Sequence, residues 1–299
     1  MSTAFEQVPD RDVGHVPSRP PLPPGRSLDL PGRGTTFVRE LDGPADAPTL
    51  LLLHGWTATA DLNFFGVLPE LAGHYRVVTI DHRGHGRGIR ARERFSLEDC
   101  ADDAAAALDA LGLDQVIPVG YSMGGPVAQL LWRRHPHRVL GLVLCATSRN
   151  FAGSRMARAR FSMFDPVAIA SRFAPADLRS RTFGHLIARR SVGATEWVRS
   201  EMLLNDPVAL AEAGSAIGRF SSHEWVGEVD VPTAVVVTEY DRVVAPERQH
   251  KLAEAIPRAT VHRVPGDHTV CSIEPHLFAP VLRDALASVA IRAKMARRS

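Results

Sequence analysis

Residues 120–124 read Gly-Tyr-Ser-Met-Gly and place Ser122 between two glycines. An aliphatic run, Gln115–Val119, precedes this G-x-S-x-G pattern, and a helix-like stretch that begins at Pro126 follows it. On a tight turn between a strand and a helix, a serine hydroxyl projects from the sheet edge, where it can attack a carbonyl carbon. We therefore predict that Ser122 is a nucleophile.

A serine hydroxyl also needs a base to take its proton and a third group to orient that base. Asp241 directly follows one aliphatic run, and His268 lies a few residues beyond the last such run. Together with Ser122 they give the chain order Ser, Asp, His that sites built on this kind of turn use. We predict that His268 is the base and Asp241 its orienting group. Glu239 is the nearest rival to Asp241, but it lies two residues earlier, within the strand.

Attack on a carbonyl also requires donors for the oxyanion that forms. We expect two backbone N–H groups to serve, that of Met123 and that of Trp56. Trp56 follows His54 and Gly55 in the loop after a predicted strand. The alternative, with His54 as the base, would leave His268 and Asp241 unexplained.

Strand and helix patterns alternate from residue 35 onward. Seven runs predict strands: Thr35–Leu41, Thr49–Leu53, Tyr75–Ile80, Gln115–Val119, Val139–Ala146, Thr233–Thr238 and Thr260–Val264. Five stretches between and after them predict helices: Asn63–Leu71, Leu97–Leu111, Pro126–Arg134, Pro246–Ala255 and Pro275–Ile291. This alternation predicts an α/β fold with a doubly wound, mostly parallel sheet and its chemistry at the carboxyl ends of the strands.

The alternation stops over residues 149–228, where helical periodicity continues without strands. Candidate helices there are Ser154–Phe164, Asp177–Arg190, Glu196–Leu204 and Pro207–Phe220. We predict a helical cap, inserted into a core formed by residues 35–148 and 229–299. Between Arg149 and Arg219 the chain has eleven arginines, no lysine and six acidic residues. This composition fits a solvated helical surface, or a lid that attracts an acidic substrate or an anionic membrane surface.

Residues 1–34 are expected to form a separate, proline-rich arm. The arm is either mobile or wrapped around the core, and a recognition peptide for another protein is the alternative. It has no apolar stretch typical of a secretory signal, and no run in the chain reaches the roughly 18 apolar residues of a spanning helix. With only three scattered cysteines, we expect a cytoplasmic protein with reduced thiols.

Several other functions are disfavoured. The net charge is only +2, so no general case exists for a nucleic-acid partner. The glycine-rich segment 84–88 lacks the third glycine of a dinucleotide fingerprint. His82 and His85 have no third metal ligand at suitable spacing. We therefore expect neither a cofactor nor a metal.

These motifs together resemble those of the α/β-hydrolase superfamily, of the serine-nucleophile type with a helical cap, from about residue 35 to the end. Residues 54–56 (His-Gly-Trp) look like the family's oxyanion element, and residues 81–86 (Asp-His-Arg-Gly-His-Gly) resemble the D-x-R-G-x-G loop after its fourth strand. Residues 120–124 match the nucleophile elbow, and Asp241 and His268 match the acid and base loops. Asp267 departs from the pattern, because the family usually has glycine just before the histidine.

The resemblance implies a serine hydrolase that needs no cofactor and cleaves a small-molecule carboxylic ester through an acyl-enzyme. An acyl lipid is an alternative substrate. The same groups could also act on a lactone, an amide or a carbon–carbon bond, or form a peracid. A ligand-binding member of the fold that hydrolyses little is a further alternative. A serine nucleophile argues against haloalkane dehalogenases and epoxide hydrolases, which use a carboxylate. The sequence defines neither the substrate nor the oligomeric state.

Overall fold

The aliphatic runs pair into one eight-stranded sheet, with the order β1-β2-β4-β3-β5-β6-β7-β8. The computed structural model describes residues 20–153, 155–190 and 194–296. The strands are β1 Gly25–Leu30, β2 Gly34–Leu41, β3 Thr49–Leu53, β4 Arg76–Ile80, β5 Val116–Tyr121, β6 Leu142–Cys145, β7 Thr233–Thr238 and β8 Thr260–Val264. Pairs that involve β1 or β2 are antiparallel and all other pairs are parallel. The predicted fold class is confirmed.

Strand β1 differs from the prediction. It pairs with β2 as a hairpin, from Gly25 opposite Arg39 to Leu30 opposite Gly34. The predicted boundary at residue 34 therefore falls inside a hairpin, and the sheet begins about ten residues earlier, at Gly25. The rest of the proposed arm, residues 1–19, lies outside the described residues.

Helices cover both faces of the sheet. They are α1 Ala60–Phe64, α2 Leu68–Leu71, α3 Leu97–Ala110, α4 Gly124–Arg134, α5 Arg155–Ser162, α6 Phe164–Phe173, α7 Ala176–Arg190, α8 Glu196–Leu203, α9 Pro207–Arg219, α10 Pro246–Ala255, α11 Val270–Ile273 and α12 Pro275–Ala296. Alternate side chains of β3 enter opposite apolar clusters: Leu51 and Leu53 face α3 and α4, whereas Leu50 and Leu52 face α2 and α12. Burial on both faces explains why the central strands are continuous aliphatic runs.

Helices α5–α9, which we call the helical insertion, lie between β6 and β7 in the chain. The insertion contacts loops at the carboxyl edge of the sheet: Trp56 Nε1 donates to the Leu210 carbonyl at 2.9 Å, and the Asp206 N–H donates to the Gly84 carbonyl at 2.9 Å. It contains α6 in addition to the four predicted helices. Pro166 is compatible with α6 because it lies in the first turn, where a backbone N–H has no helical acceptor. No helix within the described ranges is long and apolar enough to cross a membrane.

Candidate active site

Ser122 occupies a constrained turn at the end of β5. Its φ angle is +51°, in the left-handed region that a serine rarely adopts. The two flanking glycines have no room for a side chain. A Cβ atom at Gly120 would collide with the Gly124 carbonyl, and one at Gly124 would collide with the Leu53 carbonyl. Close approach of these backbones explains the G-x-S-x-G pattern and leaves the hydroxyl at the sheet edge.

The structure brings the three predicted side chains together. His268 Nε2 lies 2.9 Å from Ser122 Oγ, and His268 Nδ1 lies 2.7 Å from Asp241 Oδ2. Both distances are within hydrogen-bond range. Asp241 is 3% exposed, whereas Ser122 and His268 are half-buried, and Ser122 lines the cavity described below.

Asp241 is fixed by donors on both of its oxygens. Oδ1 accepts the backbone N–H groups of Val243 and Val244, each at 2.8 Å. Oδ2 accepts from Thr238 Oγ1 at 2.9 Å and from Gln249 Nε2 at 3.2 Å, in addition to its contact with His268. Donors at both ends fix the carboxylate in a single orientation.

Tyr121 holds the loop that carries His268, and Asp267 takes no part in this contact. Tyr121 donates its hydroxyl to the His268 carbonyl at 3.0 Å. Asp267 is exposed, and its Oδ1 accepts from the N–H and hydroxyl of Thr269, both at 2.7 Å. The departure from the family pattern therefore forms a local turn around Thr269.

The backbone N–H groups of Trp56 and Met123 have no hydrogen-bond acceptor among the residues the structure describes. Their neighbours do have acceptors: the Gly55 N–H donates to Asn63 Oδ1 at 2.8 Å, and the Ser122 N–H donates to the Cys145 carbonyl at 2.9 Å. Trp56, Met123 and Ser122 all line one cavity. An oxyanion beside Ser122 would therefore meet uncommitted donors.

This cavity has a volume of about 290 Å³. Most of its wall is apolar, from the loop after β3 and from helices α5 and α9. Three arginines also line it: Arg160 on α5, Arg242 after β7 and Arg248 on α10. Sequence reasoning noted the arginine content of the insertion but missed Arg242 and Arg248. The available signal was the position of Arg242 directly after the predicted acid.

Residues 81–86 have a structural role. Asp81 is 1% exposed and accepts the backbone N–H groups of Ala60 and Arg87, both at 2.8 Å. Burial raises its pKa to about 6. Arg83 forms a two-point contact with the buried Asp103, at 2.7 and 2.8 Å, which joins this loop to α3.

His82 and His85 of this loop pack against His54. His54 Nε2 accepts the His82 N–H at 2.9 Å, so this nitrogen is turned away from the serine. The rings of His54 and His85 are 5.4 Å apart. Burial, strengthened by the neighbouring His85, lowers the pKa of His82 to about 3, and burial lowers that of His85 to about 4. Burial also lowers the pKa of His54 well below its usual value, so all three are neutral near pH 7.

A larger cavity, of about 640 Å³, lies elsewhere, between α8 and the outer part of the sheet. Two ion pairs lie in its wall: Arg39 contacts Asp61 at 2.6 and 2.7 Å, and Arg87 contacts Glu201 at 2.5 Å. Ser122 does not line it. The smaller cavity is therefore the candidate active site.

Comparison with known proteins agrees with this architecture. A family model described as "alpha/beta hydrolase fold" matches residues 48–190. The pimeloyl-[acyl-carrier protein] methyl ester esterase of Sodalis glossinidius is 34% identical over 196 residues, which cover 61% of this chain and 71% of that protein. The chain belongs to the α/β-hydrolase family. Hydrolase chemistry on small molecules is accordingly supported for this α/β hydrolase.

Two further similarities carry less weight. The match to epoxide hydrolase B of Mycobacterium tuberculosis is 36% identical over 126 residues, which cover 40% of this α/β hydrolase and only 35% of that protein. The crystal structure of a hydrolase from Pseudomonas aeruginosa PA01 superposes with a TM-score of 0.72, covers 88% of this chain and 98% of that one, and is 24% identical. At this identity the likeness concerns the fold alone.

Proposed function

We propose that this α/β hydrolase is a serine esterase that cleaves a small carboxylic ester through an acyl-enzyme. The observation that carries the proposal is the continuous contact from Asp241 through His268 to Ser122, at 2.7 and 2.9 Å. A hydroxyl, an imidazole and a buried carboxylate in this order can activate the hydroxyl for acyl transfer. The esterase from Sodalis glossinidius, named for cleavage of a methyl ester, adds support.

The first half-reaction transfers the acyl group to the enzyme. Ser122 Oγ attacks the ester carbonyl carbon while His268 Nε2 takes the hydroxyl proton. Asp241 holds the Nδ1–H and stabilises the imidazolium that forms. The backbone N–H groups of Trp56 and Met123 would bind the oxyanion. His268 then gives the proton to the departing alkoxide, and the alcohol leaves.

The second half-reaction restores the enzyme. His268 takes a proton from a water molecule, whose oxygen attacks the acyl carbon. Collapse of the second oxyanion intermediate breaks the bond to Ser122 Oγ, which recovers its proton from His268. The carboxylic acid is released.

A panel of 4-nitrophenyl and methyl esters tests the proposal on the purified protein, on Ser122→Ala and on Ser162→Ala. Ser162 is a matched control, because it is an exposed serine on α5 whose hydroxyl donates to the Ala159 carbonyl. Loss of Ser122 should lower kcat on the order of 10⁴-fold or more, since the three groups act as a unit. Ser162→Ala should retain wild-type rates. A folded wild-type protein that binds esters without cleaving them would favour the non-catalytic alternative. Full turnover by Ser122→Ala would refute the proposal.

A further inference from the structure

The cavity at Ser122 carries positive charge that its own lining does not neutralise. Arg160, Arg242 and Arg248 contribute to its wall, and no carboxylate of the described residues does. The nearest acid of the site, Asp241, is buried, and both of its oxygens are already occupied by donors. Cations in a largely apolar wall favour an anionic occupant.

Arg248 is the most enclosed of the three arginines. It is half-buried on α10, whereas Arg160 and Arg242 are exposed. Its Nη2 donates to the backbone carbonyl and to Oδ1 of Asn150, which are both neutral acceptors. Among the described residues, Nη1 and Nε have no acceptor. Gly153 provides space for this guanidinium, since a Cβ atom there would collide with Nη1.

Other enclosed arginines near the sheet edge are neutralised differently. Arg39, Arg83 and Arg87 each contact a carboxylate that is 5% exposed or less. Arg248 has no such partner within the described ranges, although it is half-buried, as Arg39 and Arg87 are. Its two uncommitted nitrogens, with three N–H donors, and its place in the wall of the catalytic cavity suit it to a carboxylate supplied by a ligand.

We propose that the ester substrate carries a free carboxylate, which Arg248 binds while Ser122 attacks the ester carbonyl. The proposal rests on the proposed esterase function. Arg160 and Arg242 attract the same charge from the more exposed part of the wall. The apolar stem between the two groups would lie against Trp56, Phe161 and Ile217. At about 30 Å³ per water-sized group, 290 Å³ accommodates an acyl part of about ten non-hydrogen atoms.

Two esters of equal carbon number test this specificity. The anionic one is 4-nitrophenyl hydrogen adipate, and the neutral one is 4-nitrophenyl hexanoate. In the wild type, kcat/KM should be about tenfold or more higher for the adipate, because a charge-assisted hydrogen bond is gained. The difference should reside mainly in KM, as expected for uniform binding. It should shrink as ionic strength rises, since Arg160 and Arg242 are exposed to screening.

Arg248→Met should lower the adipate-to-hexanoate ratio by about tenfold, and Arg248→Lys should restore part of it as a single point charge. Arg263→Met is the matched control. It removes the same charge from β8, where the Arg263 side chain is 66% exposed and does not line the cavity. This control should keep the wild-type ratio. The ratio is read within each variant, so a change in the amount of folded protein does not affect it.

Several outcomes would overturn the proposal. A wild-type enzyme that cleaves both esters with equal kcat/KM contradicts it directly, whether or not the variants fold. If the adipate-to-hexanoate ratio is unchanged in Arg248→Met, or falls equally in Arg263→Met, Arg248 does not bind the carboxylate. In these cases, Ser122-dependent hydrolysis of 4-nitrophenyl hexanoate would still support the proposed esterase function. Hydrolysis of neither ester, or hydrolysis that persists in Ser122→Ala, removes both proposals.

Discussion

Replacing Asp241 with asparagine should abolish most of the activity but leave the protein folded. The hydrogen bonds around this residue allow only one orientation of the new amide. The backbone N–H groups of Val243 and Val244 donate to Oδ1 and cannot reverse their role. The asparagine oxygen must therefore stay on that side, which turns its NH₂ group toward His268. The imidazole can meet this donor only with an unprotonated Nδ1. Its proton then resides on Nε2, facing Ser122, and the ring can no longer act as a base.

The expected magnitudes follow from these contacts. A base held in the wrong tautomer costs about 10⁴-fold in kcat. Stability should change far less, because Thr238 can rotate its hydroxyl to accept, and Gln249 keeps its bonds to the Val244 carbonyl and to Thr238 Oγ1, at 2.7 and 2.8 Å. Roughly one hydrogen bond is weakened, at about 1–3 kcal/mol.

The assay pairs 4-nitrophenyl acetate hydrolysis with urea unfolding. Asp267→Asn is the matched control, since it removes the same charge next to His268 from an exposed side chain. It should stay within about threefold of wild-type activity, as expected for a surface substitution. An Asp241→Asn variant with activity within tenfold of the wild type would refute the assigned tautomer. A variant that loses activity only because it is unfolded would refute the stability argument.

Three further outcomes follow from the packing. Gly124→Ala should lower the free energy of unfolding in urea by about 1–3 kcal/mol, because its methyl group collides with a β3 carbonyl. Glu201→Gln should lower the free energy of unfolding by about 1–3 kcal/mol in the same assay, because this 3%-exposed carboxylate neutralises Arg87. A variant as stable as the wild type would show that this contact between the helical insertion and the rest of the protein contributes nothing. In the folded protein the pKa values of His82 and His85 are about 3 and about 4, below the value of about 6.5 in the unfolded chain. The protein should therefore lose stability as the pH falls below about 6.5. The loss should be on the order of 2 kcal/mol per histidine between pH 7 and pH 5. Asp81 opposes this loss, because its pKa is raised to about 6 and the folded protein takes up one proton there as the pH falls. His85→Gln should therefore be less sensitive to pH than the wild type when unfolded with urea at these two pH values.

The central sheet could be predicted because its strands are buried on both faces. The run Leu50–Leu53 has no polar position, so it indicates a covered strand without knowledge of the partners. Strand β1 escaped prediction because it is a mostly exposed edge strand with polar and apolar residues mixed, directly after a proline-rich stretch. Only its pairing with β2, in a hairpin closed at Gly34, makes it a strand.

The proposed nucleophile, base and acid could be chosen from the sequence, because each lies at a fixed point relative to a strand end. Ser122, Asp241 and His268 needed no knowledge of side-chain packing. Arg248 could not be found this way. It lies on a helix, and its relation to the cavity depends on how Asn150 and the insertion fold over the sheet. The sequence therefore indicated the chemistry more readily than the substrate.

The most direct test of the account is covalent labelling of the nucleophile. The folded protein is treated with a fluorophosphonate probe and digested, and the adduct is located by peptide mass spectrometry. We predict one adduct, on Ser122, that forms slowly in Asp241→Asn and is absent from Ser122→Ala. An adduct on a different residue, or no adduct on protein that hydrolyses esters, would contradict the account.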